Sequence, residues 1–136
     1  MKKIFVLLTL IGTIASAAPY THEDRIHDMQ EMAHAMNTIQ SGFFYNNFDT
    51  VAEGVEHLSF TMKKIQPTVD ELEETDVMAR YMNNKTRMTN KVVKKINQKT
   101  LTILQRFKNG DSAQAIQAYT KILGQCMKCH RETRNW

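Results

Sequence analysis

The residues with the clearest chemical potential lie together near the end of the 136-residue chain, in the stretch Cys126-Met127-Lys128-Cys129-His130. C-x-x-C-H is the attachment sequence for a c-type haem, in which two thiols form thioether bonds with the vinyl groups of the porphyrin. On a helix, Cys126 and Cys129 project from neighbouring faces, and His130 lies four residues beyond Cys126. The imidazole of His130 can therefore reach the iron of a haem held by the two cysteines.

Three other roles for the two cysteines stay open at the level of sequence. A thioredoxin-type dithiol requires a strand-to-helix turn, and a zinc site requires four ligands. A disulfide across two residues closes a very short, strained loop. No strand pattern and no other cysteine accompanies the pair. The sequence therefore favours covalent attachment of one haem c over these alternatives.

The first eighteen residues have the three-part pattern of a secretory signal peptide. Two lysines give a positive start, a mostly apolar run follows, and Ala15-Ser16-Ala17 is a small-x-small cleavage signal. We predict that the signal peptide, residues 1–18, is removed by cleavage after Ala17 or Ala18 and that residues 19–136 form the exported domain, in a bacterial periplasm. The apolar run is shorter than the about 20 residues of a membrane-spanning helix, so a retained anchor is the weaker alternative.

Composition and charge restrict the partners of the exported domain. Hydrophobic residues make up 42% and charged residues 24%, which is ordinary for one soluble domain. The formal charge of +4 falls to +2 when the two lysines of the signal peptide are removed. So small an excess gives little support for nucleic-acid binding. No second long apolar segment follows, so we expect no membrane contact after cleavage.

Helical periodicity runs through the rest of the chain in four segments. Apolar residues recur at three- and four-residue steps in stretches that begin near Ile26, Phe48, Tyr81 and Ile116. Each stretch has the one-face pattern of an amphipathic helix, and no stretch alternates with the period of a strand. The pattern predicts an all-α fold, an antiparallel four-helix bundle whose last helix carries the haem-attachment motif.

Helix-breaking residues predict where the four helices end. Gly42 precedes the first break, and Pro67 stops the second helix. Gly110 suits a left-handed end to the third helix, and Asp111 or Ser112 is the N-cap of the fourth. The acidic run at residues 70–76 is either a short helix or the start of the third. A helix unbroken from residue 75 to 108 would be about 50 Å long, against about 30 Å for the others, so we expect a break there.

The position of the motif near the C-terminus points to a known family. Gly124 stands two residues before Cys126, and Arg134 follows His130 by four. On these features, most of the mature chain resembles the class II c-type cytochromes, which comprise cytochrome c′ and its low-spin relatives. The resemblance implies a periplasmic four-helix bundle with one haem packed among the helices.

The same resemblance implies a role for each residue of the motif. Cys126 and Cys129 would be the thioether attachments, and His130 would be the proximal iron ligand. Arg134 would lie beside that imidazole, on the same helix face. Thr133 departs from the family, which often has an aromatic residue just before this arginine. The departure concerns the packing on the proximal side and leaves the ligation unaffected.

The sixth ligand of the iron would come from the first helix in this family. An apolar residue there leaves an open site that binds NO or CO, whereas a methionine closes the site and gives a low-spin electron carrier. His/Met ligation raises the reduction potential. Alignment of Phe48-Asp49 with the family's aromatic–aspartate pair puts Met29 nearest this position, with Met32 as the alternative. Methionine also fills irregular cores, so a packing role for both stays open.

The function predicted from these residues and the resemblance is single-electron transfer between redox partner proteins. No catalytic acid, base or nucleophile is evident, so we expect no enzyme. The alternative is a gas-binding protein that captures NO or CO at an open iron. Family members often pair through their first two helices, which implies a homodimer.

The remaining polar side chains have plain interpretations. We expect surface positions for the other histidines, His22, His27, His34 and His57. Four cations are either solvated or partners of haem propionates: Lys63, Lys64, Arg80 and Lys85. A basic run forms an exposed helix face that is also suited to docking on an acidic redox partner: Lys91, Lys94, Lys95 and Lys99.

Overall fold

The computed structural model describes residues 21–66 and 77–134, and these fold into four helices. They are α1 (His22–Phe44), α2 (Phe48–Lys64), α3 (Val77–Lys108) and α4 (Ser112–Arg134). No strand occurs within the two described ranges. The prediction of an all-α chain with four helices is confirmed. The predicted signal peptide, the stop at Pro67 and the acidic run at residues 70–76 lie outside the described residues.

The α1–α2 hairpin is fixed by its caps and by a close approach of the two helices. Thr21 caps α1, since its hydroxyl accepts from the Asp24 N–H at 3.1 Å while the Asp24 carboxylate accepts from the Thr21 N–H at 2.8 Å. A Cβ added at Gly54 of α2 would lie 2.8 Å from the backbone nitrogen of Ile39 and 2.9 Å from the carbonyl oxygen of Ala35. Glycine at this position therefore lets α1 and α2 pack backbone to backbone.

Helix α3 runs without a break for 32 residues, and our prediction of an interruption was wrong. The physical reason is local, because no proline or glycine occurs between Pro67 and Gly110. The argument from matched helix lengths failed because a bundle helix can extend beyond its neighbours. At 1.5 Å per residue, α3 is about 48 Å long.

The turn between α3 and α4 forms as the sequence predicted. Gly110 adopts the left-handed conformation with a φ of 78°, which a residue without Cβ takes without strain. The Asp111 carboxylate then accepts from the Gln114 N–H at 3.1 Å, so Asp111 is the N-cap of α4. This turn sets α4 antiparallel to α3 and carries the motif residues back along the bundle.

The two hairpins contact each other unevenly. Helix α1 packs along α2, and α3 packs along α4, with a smaller contact between α2 and α3. Side chains join α1 to both α3 and α4 at one end, where the ring of Phe43 lies 5.2 Å from that of Phe107 on α3 and 5.7 Å from that of Tyr119 on α4. A shared core fills the bundle; its fully buried members include Ile39, Leu58, Ile96, Ile103 and Ile122. None of the described helices combines the length and apolar character needed to cross a bilayer.

Candidate cofactor site

A cavity of about 500 Å³ lies between the two hairpins, and all four helices contribute to its walls. This volume is in the range of about 300–1,000 Å³ that small-molecule and cofactor pockets occupy. Most of the lining side chains are apolar, and the polar atoms converge on a few positions. The lining includes Met29, Met32 and Met36 of α1, Leu58 and Met62 of α2, Val92, Val93 and Ile96 of α3, and Tyr119, Leu123, Cys126, Cys129 and His130 of α4.

The motif residues lie together on the α4 wall of this cavity. Cys126, Cys129 and His130 all line it, and all three are half-buried. Helix α4 is regular through this stretch, so the spacing of three and four residues places the three side chains on adjoining faces. The structure thus brings together the two thiols and the imidazole that the sequence singled out.

Both thiols are free, and burial makes them poor nucleophiles. Burial raises the pKa of Cys126, and the neighbouring Cys129 adds to the shift. Burial also raises the pKa of Cys129, although hydrogen bonds from Thr133 and Thr89 oppose the shift. Reactive dithiol oxidoreductases use the opposite arrangement, in which one thiol has a lowered pKa. The environment of the pair therefore does not favour the thioredoxin-type alternative.

Helix α1 contributes three methionines to the same cavity. A contact between α1 and α4 at one end of the cavity allows the positions of these methionines along α1 to be compared with those of the motif residues along α4. The Tyr119 hydroxyl donates to the Gln40 amide oxygen at 3.3 Å, which fixes α4 against α1 at this point. Met29 lies eleven residues before Gln40 on α1, and His130 lies eleven residues after Tyr119 on α4. Because the helices are antiparallel, both are about 16 Å from the contact in the same direction. Met29 and His130 therefore lie equally far along their helices from this contact, and residues in such matching positions are called level below.

The other α1 methionines lie closer to the closed end. Met32 is half-buried. It lies eight residues before Gln40, and Met127 lies eight residues after Tyr119, so Met32 is level with Met127 rather than with His130. Met36 is 6% exposed and belongs to the hydrophobic core. Of the two sequence candidates for a distal ligand, Met29 has the better register.

Three contributors to the site were not identified from the sequence. Thr89 of α3 donates to the Lys85 carbonyl at 3.0 Å and also lies within hydrogen-bonding reach of Cys129. Gln40 and Tyr119 close one end of the cavity, and burial raises the pKa of the Tyr119 hydroxyl. Tyr119 had the spacing of a core residue, but nothing in the periodicity of one helix shows which residue on another helix it will contact.

None of the other histidines lines the cavity. His22, His27 and His34 are exposed, as predicted. His57 is half-buried instead, and its Nε2 lies 2.9 Å from a carboxylate oxygen of Glu31, linking α2 to α1. His57 thus keeps a surface position with 35% of its side chain exposed, although packing between the two helices covers part of the ring.

The predicted cationic candidates have different surroundings. The Lys64 ammonium lies 3.4 Å from Asp28, whose side chain is buried, and both line a second, more open cavity of about 400 Å³. Lys63 is exposed and Lys85 is half-buried. The side chains of Arg80 and Arg134 lie outside the described residues.

Within the described part of the chain, no group of three or more His, Cys, Asp or Glu side chains is arranged to hold a metal ion.

Comparison with known proteins adds no relative. No protein-family model matches the chain, and no curated protein or solved structure is similar to it. The family resemblance therefore rests on the residues of the motif and their spacing.

The donor set nonetheless fits a covalently held haem. Two free thiols and an imidazole share one wall, and a thioether lies level with the imidazole on another helix. Imidazole and thioether are axial ligands of haem iron in cytochromes. The largely apolar lining suits a prosthetic group with an apolar ring.

Proposed function

We propose that the chain is an exported monohaem c-type cytochrome that transfers single electrons, with the haem in the cavity between the hairpins. The observation that carries the proposal is the shared α4 wall of Cys126, Cys129 and His130, in a cavity that Met29 of α1 also lines. When bound, haem iron supplies a one-electron couple between its ferric and ferrous states. No catalytic acid or base is needed for this function.

The motif side chains would hold the group. Cys126 and Cys129 would form the thioether bonds, and His130 would be the proximal ligand. Met29 would be the distal ligand, with Met32 as the alternative. A thioether opposite an imidazole stabilises the reduced iron and raises the reduction potential. Covalent attachment keeps the group in a compartment where it would otherwise be lost by dilution.

The rest of the cavity would set the environment of the iron. Leu58, Met62 and Val93 are buried, and each lines the cavity. Their apolar side chains exclude water, and the hydrophobicity of such a shell controls the redox potential of the metal. Thr133 and Thr89 supply hydrogen bonds at Cys129, and the Tyr119 hydroxyl lies close enough to Cys126 to interact with it electrostatically.

Attachment is tested by producing the full chain in a host with cytochrome-maturation machinery. We expect a coloured protein whose mass exceeds that of the processed polypeptide by one haem, with an N-terminus at residue 18 or 19. The double variant Cys126→Ser/Cys129→Ser is the matched control and should lack the added mass. A colourless wild-type protein at the bare polypeptide mass would overturn the proposal.

The distal ligand is tested by absorption spectra of the reduced protein with and without CO. Ligation by Met29 predicts a sharp low-spin spectrum that CO leaves nearly unchanged, and Met29→Ala should give a high-spin spectrum that CO alters at once. Met32→Ala, level with Met127, should keep the low-spin spectrum. If Met32→Ala alone changes the spectrum, the register argument fails. If CO alters the wild-type spectrum at once, the open gas-binding site is the correct alternative.

A further inference from the structure

Charge is divided unequally between the two halves of the bundle. Residues 77–134 contain thirteen Lys and Arg and two Asp and Glu, a net charge of +11, whereas residues 21–66 contain three and seven, a net charge of −4. Helix α3 alone carries nine cations and no acidic residue. Residues 67–76, between these two ranges, add five acidic residues and no cation, so most of the positive charge of the chain is concentrated in α3 and α4.

Four of the cations form a single row along α3. Arg87, Lys91, Lys95 and Lys99 recur at four-residue steps, so each lies next to the following one on the helix surface. Like charges at this spacing destabilise a helix. None of the four forms an ion pair with a described residue, and the first three are exposed. Within the described residues no carboxylate offsets this cost, and the exposed row is suited to a partner that supplies acidic groups.

The row is close to the cavity but separated from it by the helix. Val92, Val93 and Ile96 line the cavity, and they alternate along the chain with Lys91 and Lys95, which point to solvent. An α-helix with its side chains is about 10–12 Å across. A molecule seated on the row would therefore be about one helix diameter from the cavity.

We propose that this row is the docking surface for an acidic face of a partner protein. That the partner is a redox protein rests on the function proposed above. Complementary charge speeds encounter and orients the partner without requiring tight binding. Electron-transfer complexes are typically small and weak, so one helix face is large enough.

The surroundings of the row favour a protein over a lipid surface. Helices that lie on membranes bury an apolar face beside their cations. On the exposed side of α3 the neighbours of the row are polar, as at Lys94 and Gln98, and the only large exposed apolar side chain described there is Leu101. A lipid surface would thus meet charge without the apolar area that insertion requires.

Binding of a short fluorescent polyglutamate peptide to the purified protein tests the proposal. We expect Lys91→Glu and Lys95→Glu each to weaken binding about fivefold at low ionic strength, and to a smaller extent in about 0.15 M salt. Lys121→Glu is the matched control, since Lys121 is an exposed mid-helix lysine on α4 and its reversal changes the net charge equally. It should weaken binding less than about twofold.

The outcomes separate the docking surface from the proposed function. Equal losses in Lys95→Glu and Lys121→Glu would show that only net charge matters and would overturn the proposal. So would binding to anionic phospholipid vesicles without binding to the peptide. Haem content is measured on the same samples by mass and spectrum. If the protein is colourless but Lys91→Glu and Lys95→Glu weaken binding more than Lys121→Glu, the cytochrome proposal is refuted and the docking surface is supported. If the protein carries haem but the variants do not differ in this way, the docking surface is refuted and the cytochrome proposal is supported.

Discussion

Replacement of Gly54 by alanine should destabilise the protein through the backbone contact between α1 and α2. The added Cβ would meet the Ile39 nitrogen at 2.8 Å and the Ala35 oxygen at 2.9 Å, and neither atom can rotate away. Ordinary contact begins near 3.4 Å. The helices must therefore separate by roughly half an ångström, which disturbs the core beneath them.

The magnitude follows from two opposing effects. Overpacking costs about 1–3 kcal/mol, and a clash with backbone atoms that cannot rotate belongs in the upper part of that range, about 2–3 kcal/mol, while alanine is favoured over glycine within a helix by about 1 kcal/mol. We expect Gly54→Ala to lower the free energy of unfolding by about 1–2 kcal/mol. At about 4 °C per kcal/mol for a domain of this size, Tm should fall by about 4–8 °C.

Gly124 supplies the matched control on α4. Its added Cβ would meet no atom within 4 Å, so Gly124→Ala should gain only the helix preference. We expect a rise in Tm of about 2–4 °C. Thermal unfolding followed by circular dichroism at 222 nm measures both variants. A Tm of Gly54→Ala at or above that of the wild type would refute the close-approach argument.

Three further predictions concern other parts of the chain. Thr21→Ala should speed amide exchange in the first turn of α1. Because hydrogen bonds from Thr21 hold the pKa of Asp24 below 3.8, the difference from wild type should be largest above pH 3.8. It should shrink as pH falls through the lower folded-state pKa, to the part due to the Thr21 hydroxyl that caps the Asp24 N–H. In protein produced without haem attachment, burial raises the pKa of Cys126 and Cys129, so iodoacetamide should alkylate both more slowly than free cysteine at about pH 8; equal rates would contradict their burial. Ile122→Ala should cost about 2–5 kcal/mol in urea unfolding, because the side chain is fully buried, and a smaller loss would mean that the core collapses around the gap.

Local chemistry made most of the secondary structure predictable. The left-handed Gly110 and the cap at Asp111 follow from the preferences of single residues, and they fix where α3 ends and α4 begins. The length of α3 was mispredicted because the argument relied on tertiary symmetry, which the sequence does not impose. The absence of helix breakers was the better guide.

The candidate site was predictable only in part. The C-x-x-C-H spacing identifies the α4 residues, since all three come from one turn and a half of helix. The level of Met29 depends instead on the contact between Gln40 and Tyr119, which are 79 residues apart. A pattern within one helix carries no information on such a register. The close approach at Gly54 could not be predicted for the same reason, because the atoms that Gly54 approaches belong to another helix.

The aromatic contact of Phe43 with Tyr119 and Phe107 also bears on how a bulky group could enter. Each hairpin consists of neighbours in the chain, so each can assemble rapidly on its own. The rings join the two hairpins at one end of the bundle, away from the end where the cysteines lie. Under the function proposed above, the bulky group would therefore be taken up at the cysteine end, away from this aromatic contact.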